Sequence, residues 1–158
     1  MQKKNYQRMF ELIDQSFQTR SDPDQLQVNE EQMQKLQLLH PACLSEMSTE
    51  DGPVIWVLMF PTQSGLMKSF LLGTLSERAL LEQTPINASC DCLYLCSATT
   101  LPEYRVQGKT FSLCVKAAHE IISAYPIKTL FTWPFSVGGE KLAEKLAQNL
   151  ALPLELRK

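Results

Sequence analysis

No apolar run in this sequence approaches the roughly 20 residues that a membrane-spanning helix needs. No membrane association is therefore expected. Positive charge is not concentrated anywhere, and the net charge is −2. A nucleic-acid binder usually needs a basic face to displace counterions from phosphates, so no nucleic-acid partner is expected. Histidine is scarce: His40 and His119 lie far apart in sequence. The basic start, Met1-Gln2-Lys3-Lys4-Asn5, is followed by no apolar signal-peptide core. The cysteines number five, an odd count that argues against a disulfide framework. Together these features make the cytoplasm the expected location. Cys90, Cys92 and Cys96 superficially suggest a metal site. Zinc takes four ligands, and neither a second cysteine pair nor a nearby histidine completes the set. They are read as buried strand thiols, with no metal.

What is present is ordinary globular usage. The chain has 158 residues, 44% apolar and 20% charged, which suits a single domain over 1–158. Tyr6, Met9, Phe10, Ile13 and Phe17 repeat at helical spacing, and Ser21 to Asp24 break that helix. Asn29 and Gln32 form a capping box for a second helix, with Met33, Leu36 and Leu39 inward and Pro41 at its end. Ala42 to Met47 reads as a short strand. Val54 to Phe60 reads as a central strand buried on both faces and closed by Pro61. Between residues 64 and 83, Leu66 to Leu71 fit a short helix, Gly73 interrupts it, and Ser76 caps another turn through Leu81, with a hairpin as the less well supported alternative. A strand over Asp91 to Thr100 precedes a helix from Lys109 to Ala124, with Phe111, Val115, Ala118, Ile122 and Tyr125 inward. A strand from Ile127 to Phe135 is interrupted by Pro134. A helix after Gly138-Gly139 turns Leu142, Ala143, Leu146 and Leu150 inward. Pro153 to Arg157 forms a last strand.

The stretch that carries chemistry is Leu101-Pro102-Glu103-Tyr104-Arg105-Val106-Gln107-Gly108-Lys109-Thr110, which follows a strand and opens a helix. Such a turn aims successive backbone N–H groups at one point, beside the positive end of a helix dipole. That arrangement suits a phosphate. Gly108 has no Cβ and lets the backbone approach closely.

This segment resembles the pyrophosphate motif of the GNAT superfamily of acyl-CoA-dependent N-acyltransferases: Arg or Gln, two residues, Gly, one residue, then Gly or Ala. Arg105 and Gly108 match it, as does the preceding Pro-Glu-Tyr. Thr110 stands where Gly or Ala is usual, and Val106 where a second Gly is frequent. The order of elements from about residue 90 onward is similar too, while residues 1–89 are less typical. The resemblance implies an α/β fold with a mixed central sheet flanked by helices and a strand-loop-helix pyrophosphate site. It implies acetyl-CoA or another acyl-CoA as cosubstrate. Main-chain groups of Ala98 and Thr100 would hold the pantetheine arm, and Arg105, Gln107, Gly108, Lys109 and Thr110 the pyrophosphate. The acceptor would be a small-molecule or protein amine. The family's general base, general-acid tyrosine and helix-start asparagine fall at Tyr94, Ala147 and Glu140, so none carries over, and Tyr94 alone remains a catalytic candidate. Trp133 and Phe135 stand where a substrate cleft would open. Two readings compete with the acyltransferase: a non-catalytic acyl-CoA-binding protein on the same scaffold, and an unrelated α/β domain in which the glycine turn only starts a helix.

Overall fold

The computed structural model describes residues 4–20, 29–105 and 107–158, with side chains at 14 and 16–20 excepted. Val106 and the helix break at Ser21 to Asp24, like the Phe17 side chain, lie outside the described residues. In chain order the elements are α1 (Lys4–Arg20), α2 (Glu30–Leu39), β1 (Leu44–Thr49), β2 (Gly52–Thr62), α3 (Ser64–Leu71), α4 (Glu77–Gln83), β3 (Cys92–Thr100), α5 (Lys109–Ala124), β4 (Thr129–Thr132), α6 (Val137–Leu150) and β5 (Leu154–Leu156). The strands form one mixed sheet in the order β1-β2-β3-β4-β5. β1, β2 and β3 run antiparallel to their neighbours, while β3, β4 and β5 run parallel. The two parallel connections are helical crossovers, as parallel pairing requires.

Helices cover both faces. Trp56 and Phe60 point to the same face of β2, two pleats apart. Tyr6 and Phe10 of α1 meet Trp56 there, and Phe70 of α3 meets Tyr94, the cross-strand partner of Phe60. The other face carries α5, whose Thr110 hydroxyl reaches Thr100 on β3, and α6, which packs against α5, β4 and β5. β2 is buried along nearly its whole length, as its continuous apolar run implies.

Several boundaries differ from the sequence-based expectation, each for a local reason. Pro41 to Cys43 form a 3-10 turn before β1, because His40 Nδ1 accepts from the Ala42 amide at 3.0 Å and proline is pre-set for a helical start. Pro61 does not close β2; it pairs with Leu93. β1 pairs only as far as Leu58, so β2 has an unpaired edge at Pro61, where a residue without an N–H is tolerated. Met33 of α2 is exposed, and Gln32 turns inward instead, because its side chain returns to the Asn29 amide at 3.1 Å. On α5 the fully buried residues are Cys114, Ala117, Ala118 and Ile121, with Phe111, Val115, Ile122 and Tyr125 at the margins. Three of these four are small and let the helix lie close to the sheet, and the larger aromatic and branched ones flank that line. β4 spans four residues rather than Ile127 to Phe135.

Arg8 of α1 clamps the loop after β3, donating to both carboxylate oxygens of Glu103 at 2.7 Å. That hydrogen bond, above all, pulls the Glu103 carboxyl down to about 2. A depressed carboxyl contributes stability above its ordinary pKa and loses it as pH falls toward 2. Both side chains are largely exposed, so the contribution is small. In a carbon-detected NMR titration, Glu103 is expected to titrate near pH 2. In Arg8→Ala protein it should return to the ordinary glutamate range; an unmoved midpoint would remove the clamp.

Candidate functional site

The parallel strands β3 and β4 pair from Cys92↔Thr129 to Leu95↔Thr132 and no further, while β3 continues to Thr100. The Thr132 hydroxyl donates to the Leu95 carbonyl at 2.7 Å and closes the ladder at that point. β4 itself ends at Thr132, and β3 runs on to Thr100 without it. The Leu101 amide donates to Val54 on β2. Main-chain groups alternate sides along an antiparallel strand, so those of Ala98 and Thr100 face the side that β4 has left. Cys96 is the extra residue of a bulge in β3: Leu58 pairs with Ser97 and Met59 with Leu95. It is also the first residue of β3 beyond the β4 pairing. Bulges re-aim a strand and are common beside active sites.

From Thr100 the chain enters the loop singled out by the sequence. The Arg105 Nε donates to the Thr100 carbonyl at 3.1 Å, so this exposed side chain folds back onto the strand end. Thr100 and Thr110 share a hydroxyl hydrogen bond of 2.8 Å that ties strand end to helix start. The Gln107 Nε2 donates to the Glu103 carbonyl at 2.8 Å, and the Lys109 ammonium lies 5.4 Å above the Tyr104 ring. Gly108 is the N-cap of the 16-residue α5, at φ 75°, and supplies no side-chain cap. A Cβ at Gly108 would meet nothing within 4 Å. Its first requirement is therefore the left-handed backbone, and the space above it is open.

On the α3/α4 face lies a buried polar cluster. Tyr94 is fully buried and ringed by Phe60, Phe70 and Phe131 at 5.4, 5.1 and 4.9 Å between centroids. Its hydroxyl donates to Glu77 Oε2 at 2.5 Å, and the Cys96 thiol donates to the same oxygen at 3.6 Å. Glu77, the first residue of α4 after the Ser76 cap, is 2% exposed. Arg157 stacks its guanidinium over Trp133 at 3.9 Å and Phe70 at 4.6 Å. Trp133 is half-buried, and Phe135, 4.5 Å away and beyond the end of β4, is exposed.

The structure thus joins Thr100, Arg105 and Thr110, sets Gln107, Gly108 and Lys109 around the start of α5, and puts Tyr94 inside the opposite layer. Sequence reasoning missed Glu77 and Arg157, and it read Cys96, which is half-buried, as a buried strand thiol. A glutamate just after a serine cap reads as a solvated dipole partner, and only the tertiary fold buries it. The remaining candidates are ordinary: His119 is exposed on α5, and Ala147 is buried.

Burial pushes the thiols of Cys43, Cys92 and Cys114 up to about 12, and that of Cys90 upward. Cys96 is half-buried while the other four are buried. Iodoacetamide at neutral pH is therefore expected to modify native protein at Cys96 first, read by peptide mapping; preferential labelling of another cysteine would contradict the burial pattern. Among the described residues there is no cluster of three or more His, Cys, Asp or Glu suited to a metal, and no helix long and apolar enough to cross a membrane. Two shallow cavities, about 230 Å³ beside Pro41 and α5 and about 450 Å³ between α2 and α4, share no lining residue with the Thr100 to Thr110 stretch. No protein-family model, no curated protein and no solved structure matches this chain.

Proposed function

We propose that this protein is an acyl-CoA-dependent N-acyltransferase of GNAT type, transferring an acetyl or related acyl group to an amine. The observation that carries the reading is the strand-loop-helix unit that follows the parallel pair. β3 pairs with β4 only as far as Leu95↔Thr132 and runs on into a loop whose left-handed Gly108 starts a long helix. In this reading the amides of Gln107 to Thr110 receive the pyrophosphate. The N-cap gives them no side-chain acceptor, and the space above Gly108 is open, so the loop fits an anion. The main chain of Ala98 and Thr100 pairs with the extended arm on the side β4 vacates. Trp133 and Phe135 form the wall on which the acceptor amine rests. The protein contributes proximity, a backbone donor toward the developing oxyanion, and proton transfer.

A second reading, an acyl-CoA-binding protein without catalysis, draws on two residues. Ala147 offers no hydroxyl on α6, and Tyr94 is wholly buried. Calorimetric titration with acetyl-CoA, followed by an amine panel monitored for CoA thiol, separates the readings. Binding with amine-dependent thiol release supports the enzyme, and binding without release supports the carrier. No binding sinks both.

A further inference from the structure

We propose that β1 is the surface on which two copies of this chain join, edge to edge, into one continuous sheet. Among the described residues β1 is an edge of the sheet. Which of its main-chain groups are open follows from the ladder. The Val54 carbonyl accepts from the Leu101 amide just past β3. The carbonyl and N–H of one trans peptide unit point opposite ways, so the Ile55 N–H faces β1. Main-chain groups alternate sides along a strand, so Val57 faces β1 as well. Their partners Met47 and Ser45 therefore bond inward to β2. Leu44 and Glu46 turn their N–H and carbonyl groups to the open side. The register shifts only after Met47, so this stretch is regular. Natural edges are often blunted by lysine or proline, and Leu44 to Met47 carries neither.

Beside this edge lies the cavity of about 230 Å³. Buried Ala42 and Ala117 form its floor, and half-buried Leu113 adds an apolar wall. Lys116 and Glu120 of α5 stand exposed at its rim. An open edge beside a helix groove is the geometry that accepts an added strand.

The added strand is a second copy, because the patch is complementary to itself. A two-fold axis perpendicular to the sheet at Ser45 sets Leu44 opposite the partner's Glu46, and Glu46 opposite the partner's Leu44. Each such pair exchanges two main-chain bonds, which uses the open groups of the regular stretch. Neither Glu46 lies directly opposite the other. The short Ser45 side chain, whose hydroxyl donates to the Ala42 carbonyl at 2.9 Å, leaves room at the axis. The same axis turns the two α5 helices antiparallel on one face, so Lys116 of one copy runs against the partner's Glu120. An isologous contact of this kind closes on itself as a dimer. It stands apart from the acyltransferase reading, since the cavity and edge share no residue with the Thr100 to Thr110 stretch.

Sedimentation velocity over a concentration series tests the interface. The wild-type chain is expected at twice the monomer mass, dissociating on dilution. Glu46→Pro removes an N–H that β2 does not use, so the protein should fold by circular dichroism and melting, yet its dimer Kd should rise about tenfold or more. Lys116→Glu and Glu120→Lys each bring like charges together across the axis, and each alone should dimerise about tenfold more weakly or worse. Mixed in equal amounts, the two variants should recover wild-type affinity as a heterodimer, because one copy then presents two glutamates and the other two lysines. Charge pairing within a single helix cannot produce that rescue. A wild-type chain that sediments as a monomer at every concentration overturns the proposal. So does a dimer indifferent to Glu46→Pro, or a mixture no tighter than its components.

Discussion

Gly108→Glu protein is expected to fold and to give no measurable heat on titration with acetyl-CoA. The substitution acts twice at the proposed pyrophosphate loop. A side chain carrying like charge enters the open space above the amides of Gln107 to Thr110. The backbone at φ 75° is also one that residues with a Cβ adopt at a cost of about 1–2 kcal/mol. The second effect would loosen the loop even without the charge, so a control is needed. Asparagine tolerates the left-handed region, and Gly108→Asn should keep most of the affinity. Arg105→Ala should weaken binding less than Gly108→Glu, because backbone donors remain and the Arg105 Nε is already engaged with Thr100. Circular dichroism and thermal melting would report whether each variant folds. A folded Gly108→Glu protein that binds as tightly as wild type would show that the cofactor sits elsewhere.

The largest loss of stability is expected from Phe70→Ala. Phe70 is fully buried, and its ring meets Tyr94, Phe131, Trp133 and the Arg157 guanidinium. Truncating a core phenylalanine costs about 3–5 kcal/mol through lost transfer energy and the cavity left behind. At roughly 2–4 °C per kcal/mol for a chain of this size, the melting temperature should fall by roughly 6–20 °C. Phe70→Leu, which keeps much of the volume, should lose less than half as much. A denaturant midpoint unchanged in Phe70→Ala would mean that α3 does not close the core. The site is affected as well, because Phe70 seats both Tyr94 and the Trp133–Arg157 stack.

Legibility differs from element to element, and the reason is physical. α5 starts at Lys109 and ends at Ala124, where the apolar period, Gly108 and the following proline place it, because those are local signals. Both short helices between residues 64 and 83 were also readable, through Gly73 and the Ser76 cap. Which line of α5 is most buried was legible only in part: Ala118 is buried as expected, but Cys114, Ala117 and Ile121 lie deeper than Phe111, Val115, Ile122 and Tyr125. A stripe of large apolar residues and a stripe of small ones lie side by side on that helix. The sheet chose the small ones for close approach. β4 was overestimated because an apolar run marks what prefers to be buried, and strand length is set by partners. Its ladder ends where Thr132 side chain and Leu95 carbonyl meet across strands.

By itself the sequence determined the helices, the central strand, the strand-to-helix turn at Gly108 and the absence of any long apolar or strongly basic segment. These follow from backbone preference and local periodicity, which act over a few residues. Only the tertiary structure decided that β3 and β4 pair over four residues, and that a bulge lands on Cys96. It also decided that Glu77, nineteen residues earlier in the chain, turns its carboxylate inward to Tyr94 and Cys96. A buried glutamate is unfavourable on its own and is tolerated only where distant donors arrive together. No local rule in a sequence records that meeting.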